Sequence, residues 1–202
     1  ALAARAARRP RGALVFGHER LFDAEQAVML PARTVIVQRD RVAAVGADGR
    51  VPIPPDAERI DASGKTLLPG LWDMHVHLGP NDGVLNLACG VTSVRDLGND
   101  VDQLMAMRRR YDTGTEVGPR VLMAGFVDGR GPFAGPTKVF ADSLPEAEAA
   151  IDRYAALGYS QLKVYSSIKP ELVPGIVAAA HRRGLRVSGH VPAFMTAEQF
   201  VR

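Results

Sequence analysis

Apolar and polar residues follow two different rhythms along this chain, and the change falls near Leu67. From about Gly12 to Ile60 the apolar runs are short and separated by turn residues. Ala13 to Phe16 is one such run. Thr34 to Val37 and Val42 to Val45 are two more, and they flank Gln38 to Arg41, which reads as a hairpin turn. Asp48-Gly49 and Pro52-Ile53-Pro54-Pro55 are turn and loop. The pattern predicts a small all-β, sandwich-like domain over 12–66. No cluster of His, Cys and acid falls inside it, so its expected role is structural. His18 is expected to be a surface or packing residue.

After Leu67 the pattern becomes strand, helix, strand, helix. Leu67 to Leu78 reads as a buried strand, with Pro69-Gly70 turning the chain before it. Gly90 to Leu97 is a second strand, and Asn99 or Asp100 can cap a helix over about 101–111. Pro119 to Gly125 is a third strand. Ser143-Leu-Pro-Glu146 is a capping box with proline in the first turn, opening a helix that runs to Gly158. Gln161 to Ser166 is a fourth strand, Pro170 starts a helix ending at Gly184, and Leu185 to Val191 is a fifth strand. Thr196 caps a last helix. Strands alternating with helices mean βαβ units and a parallel sheet, an α/β class.

The candidate chemistry sits at strand ends. Side chains alternate along a strand, so His75 and His77 share one face while Val76 takes the other. Two imidazoles on one face can grip one metal ion. Asp73 shares that face and is a candidate to orient a ligand histidine. Lys163 lies inside Gln-Leu-Lys-Val-Tyr, on one face with Gln161 and Tyr165, and Tyr165 is a candidate neighbour of ligands or substrate. The chain otherwise prefers arginine; its lysines are Lys65, Lys138, Lys163 and Lys169. A buried lysine can lose its proton, which arginine cannot, and a neutral amine can take up carbon dioxide as a carbamate. The competing reading is a lysine whose head reaches the strand end. His190 closes the fifth strand on one face with Ser188. Arg95 and Asp96 end the second strand pointing opposite ways, and one of them should face the site. His181, in the last turn of its helix beside two arginines, reads as an ordinary helix-end cation. The Gly/Pro-rich stretch 125–136 fits no phosphate-binding pattern. It reads equally as the border of a substrate pocket or as a flexible connection.

Composition narrows this little. The 202 residues are 47% apolar and 23% charged, as in an ordinary globular protein. Cys89 is the sole cysteine, which excludes a disulfide framework and a cysteine zinc cluster. The net charge is +3, but Arg5, Arg8, Arg9 and Arg11 fall in the first eleven residues; taking these four away leaves −1. The basic excess is therefore a tail over 1–11, expected to be disordered or weakly helical, and not a nucleic-acid face. No apolar run spans a bilayer and no signal peptide is recognisable, so neither membrane nor nucleic acid is an expected partner. Localisation stays open between cytoplasmic and exported.

These stretches, Leu-Pro-Gly-Leu-Trp-Asp-Met-His-Val-His up to His77, Gly-Val-Thr-Ser-Val-Arg-Asp-Leu-Gly at 90–98, Leu-Lys-Val-Tyr at 162–165 and Ser-Gly-His-Val-Pro at 188–192, resemble the amidohydrolase superfamily of metal-dependent hydrolases. The likeness runs from about Gly12 onward and looks closest to the imidazolonepropionase-like and Xaa-Pro dipeptidase-like branch. It implies a (β/α)₈ barrel beside the small β domain, of which 67–202 would supply about five βα units. It also implies that His75 and His77 bind one metal, that carboxylated Lys163 bridges, and that His190 binds a second metal, with zinc the default ion. The implied reaction is hydrolysis of amide or peptide-like C–N bonds in a small molecule such as a dipeptide or N-acyl amino acid. A further histidine and an aspartate of the family pattern have no counterpart here. The chain is thus expected to be a truncated part of a barrel, inactive alone and prone to pair with itself or with a complementary half. Two rivals stay open: a mononuclear deaminase or phosphoesterase site, and a non-catalytic partner chain.

Overall fold

Three strands in a meander start the first sheet of the computed structural model, which describes residues 12–201. The basic tail expected over 1–11 lies outside the described residues. Strand β1 (Leu14–Asp23) pairs antiparallel with β2 (Val28–Gln38), and β2 with β3 (Arg41–Ala47). Gln38 pairs with Arg41, so the β2–β3 connection is a two-residue turn, and Arg39 takes the positive φ of 58° that such turns demand. The β1–β2 turn was not expected. It carries no Gly or Pro; the Asp23 carboxylate makes it instead, accepting from the Glu25 and Gln26 backbone N–H groups. Two short strands, β4 (Glu58–Asp61) and β5 (Thr66–Leu67), add parallel to successive stretches of β1. A small core of Ala13, Val15 and Ile36 is packed by Ala44, Val51, Ile53 and Ala57.

The chain divides after Gly70 into two units. Leu67 belongs to β5 of the first sheet, and the expected strand from Leu67 to Leu78 is shortened to β6 (Leu71–Val76). Pro69 has no N–H to offer a ladder, and the break falls there. Nor is β6 buried as expected: Leu71, Trp72 and Met74 are each about half exposed, because β6 is an edge strand.

The second sheet is parallel, in the order β10-β9-β8-β7-β6. Its other members are β7 (Val91–Asp96), β8 (Arg120–Val127), β9 (Gln161–Val164) and β10 (Arg186–Gly189). Each strand lies beside its predecessor with no reversal of order. A doubly wound sheet reverses; this singly wound order is that of a (β/α) barrel. The connections are α1 (Asp82–Ala88), α2 (Val101–Thr113), α3 (Leu144–Ala156) and α4 (Val173–Arg182), with α5 (Ala197–Val201) after the last strand. Helix α1 was not expected; it is short, and the Asn81 side chain makes no capping bond.

The other helix starts follow local chemistry. Asp100, and not Asn99, caps α2 by accepting from the Asp102 and Gln103 N–H groups. Both halves of the Ser143–Glu146 capping box are made. The core lies between sheet and helices, where Val94, Met123, Ile151, Leu162, Val164 and Ile176 are almost wholly buried.

Candidate metal centre

The site is built on the face of the parallel sheet away from that core. Val94, Leu162 and Val164 take the core side, which leaves Arg95, Lys163 and Tyr165 on the other. His75 lies in β6 and His77 one residue past its end. Their rings stand edge to face with centroids 5.4 Å apart. Two imidazoles bound to one ion at about 2.1 Å, with a tetrahedral angle between them, put their centroids roughly 5.2 Å apart. The observed centroid spacing is close to that value.

The His77 ring is oriented by backbone. Its Nδ1 lies 2.6 Å from the Gly98 carbonyl oxygen, which only accepts, so Nδ1 carries a proton and in the neutral ring Nε2 is the bare nitrogen. Sequence reasoning missed this partner, because it sits 21 residues away in the turn after β7. Asp73, expected to orient a histidine ring, instead accepts from the His75 backbone N–H at 3.0 Å. It fixes the strand and not an imidazole.

Lys163 is 3% exposed, in a strand buried along its whole length. Among the described residues its amine makes no hydrogen bond or ion pair. It lies 5.2 Å from the centroid of the Phe126 ring and 5.3 Å from that of Tyr165. Burial lowers it from the ordinary lysine value, with the Asp96 charge working the other way. Tyr165 is packed on His190 with ring centroids 4.1 Å apart. His190 sits just past β10, its backbone N–H donating to the Val164 carbonyl.

His75 is held below the ordinary histidine value, first by desolvation, then by the positive charges of Lys163, His77, Arg95 and His190. His190 is lowered by desolvation and by Lys163, against the pull of Asp128. The charges of Lys163 and His190 thus reach His75 across the sheet. Among the described residues no three His, Cys, Asp or Glu side chains gather closely enough to hold a metal by themselves. His75 and His77 adjoin each other, and Lys163 and His190 each adjoin the Tyr165 ring.

Arg95 and Asp96 do part company. Arg95 donates from Nε to the Met74 carbonyl at 2.7 Å and lends its charge to His75. Asp96 is fully buried and accepts only N–H groups of the neighbouring loops. The stretch after β8 is hydrogen-bonded to its neighbours. Asp128, also fully buried, accepts from the N–H groups of Gly129, Gly135 and Ser167, which ties the β8 loop to the β9 loop. His18 is exposed beside Asp48, with 3.2 Å between Nδ1 and the carboxylate, and His181 is exposed at the end of α4.

A singly wound parallel sheet with a His-x-His pair at the end of its first strand has the architecture of a (β/α) barrel. No family model matches the chain. It is 33% identical over 99 residues to an imidazolonepropionase of Rubrobacter xylanophilus, across 46% of this chain and 24% of the relative. It is 41% identical over 54 residues to an enamidase of Eubacterium barkeri, across 27% of this chain and 14% of the relative. Among solved structures, a bottromycin amidohydrolase superposes with a TM-score of 0.77 at 28% identity, covering 94% of this chain and 41% of that one. A Xaa-Pro dipeptidase with bound methionine gives 0.76 at 19% identity, covering 93% and 63%. These likenesses indicate the amidohydrolase superfamily, over part of the length of its members. Among the described residues no helix is long and apolar enough to cross a membrane.

Proposed function

We propose that this chain supplies the metal-binding part of a hydrolase acting on amide or peptide-like C–N bonds. The observation that carries the reading is Lys163, an amine 3% exposed with no acid partner among the described residues, on the same face as His75, His77 and His190. A lysine kept there only for packing would place a charge where an apolar residue serves better. The similar proteins support the bond type, since their names are those of an amidohydrolase, an enamidase and a dipeptidase. Members of the superfamily are metal-dependent.

In this reading His75 and His77 would hold one divalent ion, His190 would hold a second, and carboxylated Lys163 would serve both, with zinc the default for such donors. The ions supply Lewis acidity, lowering the pKa of water and polarising a carbonyl. Everything else comes from the chain. The Gly98 carbonyl selects the neutral His77 tautomer in which Nε2 is bare. Burial brings Lys163 toward its neutral form, whose Nζ lone pair adds to carbon dioxide; an N–C bond forms, a proton leaves, and an anionic two-oxygen ligand results. Tyr165 holds the His190 ring by stacking. The substrate class is a dipeptide or N-acyl amino acid.

Metal analysis of the purified chain tests this, with mass or carbon NMR detection of the carbamate. Two ions per chain and a carbamate lost in Lys163→Arg support the reading. One ion without carbamate favours a mononuclear deaminase or phosphoesterase site. No metal at all favours a non-catalytic partner chain.

A further inference from the structure

Asp96 has no exposed surface, yet it carries a carboxylate. Its Oδ2 accepts from the Leu78 backbone N–H at 2.8 Å and from Asn99 Nδ2 at 3.1 Å; its Oδ1 accepts from the Gly98 backbone N–H at 3.0 Å. Leu78 is the residue after His77, and Gly98 is the residue whose carbonyl takes the His77 Nδ1–H. One carboxylate therefore grips both the backbone that carries the imidazole and the backbone that orients it. Asn99 closes the loop, donating from Nδ2 to the Leu78 carbonyl at 2.8 Å.

The turn leaves little freedom. Gly98 has a φ of 143°, and a Cβ there would stand 2.6 Å from the Phe126 ring. The carbonyl direction is thus set by a backbone conformation that needs glycine, and that backbone is held by Asp96. All three partners of Asp96 are donors. A carboxylate accepts from all of them, whereas an amide of the same shape must turn its own N–H₂ toward one.

We infer that Asp96 is the positioning residue for His77: by locking the Gly98 turn against Leu78 it keeps the imidazole in its Nδ1–H tautomer, with Nε2 bare toward a metal. The inference rests on the reading of His77 as a metal ligand. Its core, the tautomer, can be read without metal.

The test uses the full chain, metal-free, with isotope-labelled histidine, at a pH where the imidazoles are neutral. Long-range proton–nitrogen spectra then distinguish the two tautomers. Wild-type His77 is expected as Nδ1–H. Asp96→Asn is expected to move it toward the Nε2–H form that free imidazoles prefer, leaving His181 unchanged. Zinc titrated into the same samples is expected to bind about 10–100-fold more weakly to the variant. An Nε2–H form in the wild type overturns the inference whatever the variants do. A folded Asp96→Asn that keeps the wild-type signature overturns it too. Should that variant fail to fold, Asn99→Ala removes one partner of the carboxylate and is expected to give a partial shift; no shift overturns the inference. Zinc that leaves the His77 signals unmoved, while the tautomer responds as stated, sinks the metal reading and upholds the positioning role.

Discussion

At the scale of single residues, the site is maintained against stability. Lys163 has a lower pKa folded than unfolded, so between those two values the unfolded chain binds more protons. Stability therefore rises as pH climbs through that window, and at neutral pH the buried charge is a cost. Lys163→Met is expected to raise the melting temperature most at neutral pH. The gain should vanish as pH approaches the ordinary lysine value of 10.5. Melting curves against pH, taken without metal, read this directly; a variant that melts lower at neutral pH would refute it. The histidines work in the same direction. His75 and His190 are both lowered from 6.5. Protons compete with a metal for imidazole only below the pKa, so zinc affinity should persist below pH 6.5 before falling. A decline beginning well above that value, in calorimetric titrations across pH, would speak against these two ligands.

At the scale of elements, the legible parts were those written in neighbouring residues. The capping box at Ser143 and Glu146 needs only four consecutive positions, and both its hydrogen bonds form. Glu146 Oε2 also accepts from the Asp142 N–H, and its carboxyl is held below the ordinary value by these bonds. Ser143→Ala is expected to cost about 1 kcal/mol, read by urea unfolding. Ile151 in the same helix is fully buried, and Ile151→Ala should cost about 2–5 kcal/mol, a clear separation of cap from core. The His-x-His pair was legible for the same local reason, since a period of two fixes a shared face. What escaped the sequence depends on distant backbone. The Gly98 carbonyl reaches His77 only because β6 and β7 are neighbours, and Asp128 joins loops that are 39 residues apart. The missed hairpin at Asp23 has no Gly or Pro in its turn; α1 does follow Gly79-Pro80-Asn81, but it is only seven residues long and its Asn81 side chain makes no capping bond.

At the scale of the whole chain, the order β10-β9-β8-β7-β6 leaves two edges. Strand β6 is one of them. Along it Leu71, Trp72 and Met74 are 53%, 50% and 48% exposed, and Val84 and Leu85 of α1 are 42% and 60% exposed. An edge strand offers unpaired N–H and C=O groups, and here it offers them beside apolar side chains. Both features favour adding another strand or another chain. The 202-residue chain is therefore expected to associate with itself as its concentration rises. Charges on an edge strand oppose such pairing, so Trp72→Lys with Met74→Lys should shift the chain toward the monomer. Both side chains are half exposed, so the double substitution should leave the melting temperature nearly unchanged. Sedimentation velocity over a concentration series compares the two proteins. A wild-type chain that stays monomeric throughout would show that the β6 edge is not adhesive. A double variant that associates as strongly as the wild type would place the contact elsewhere.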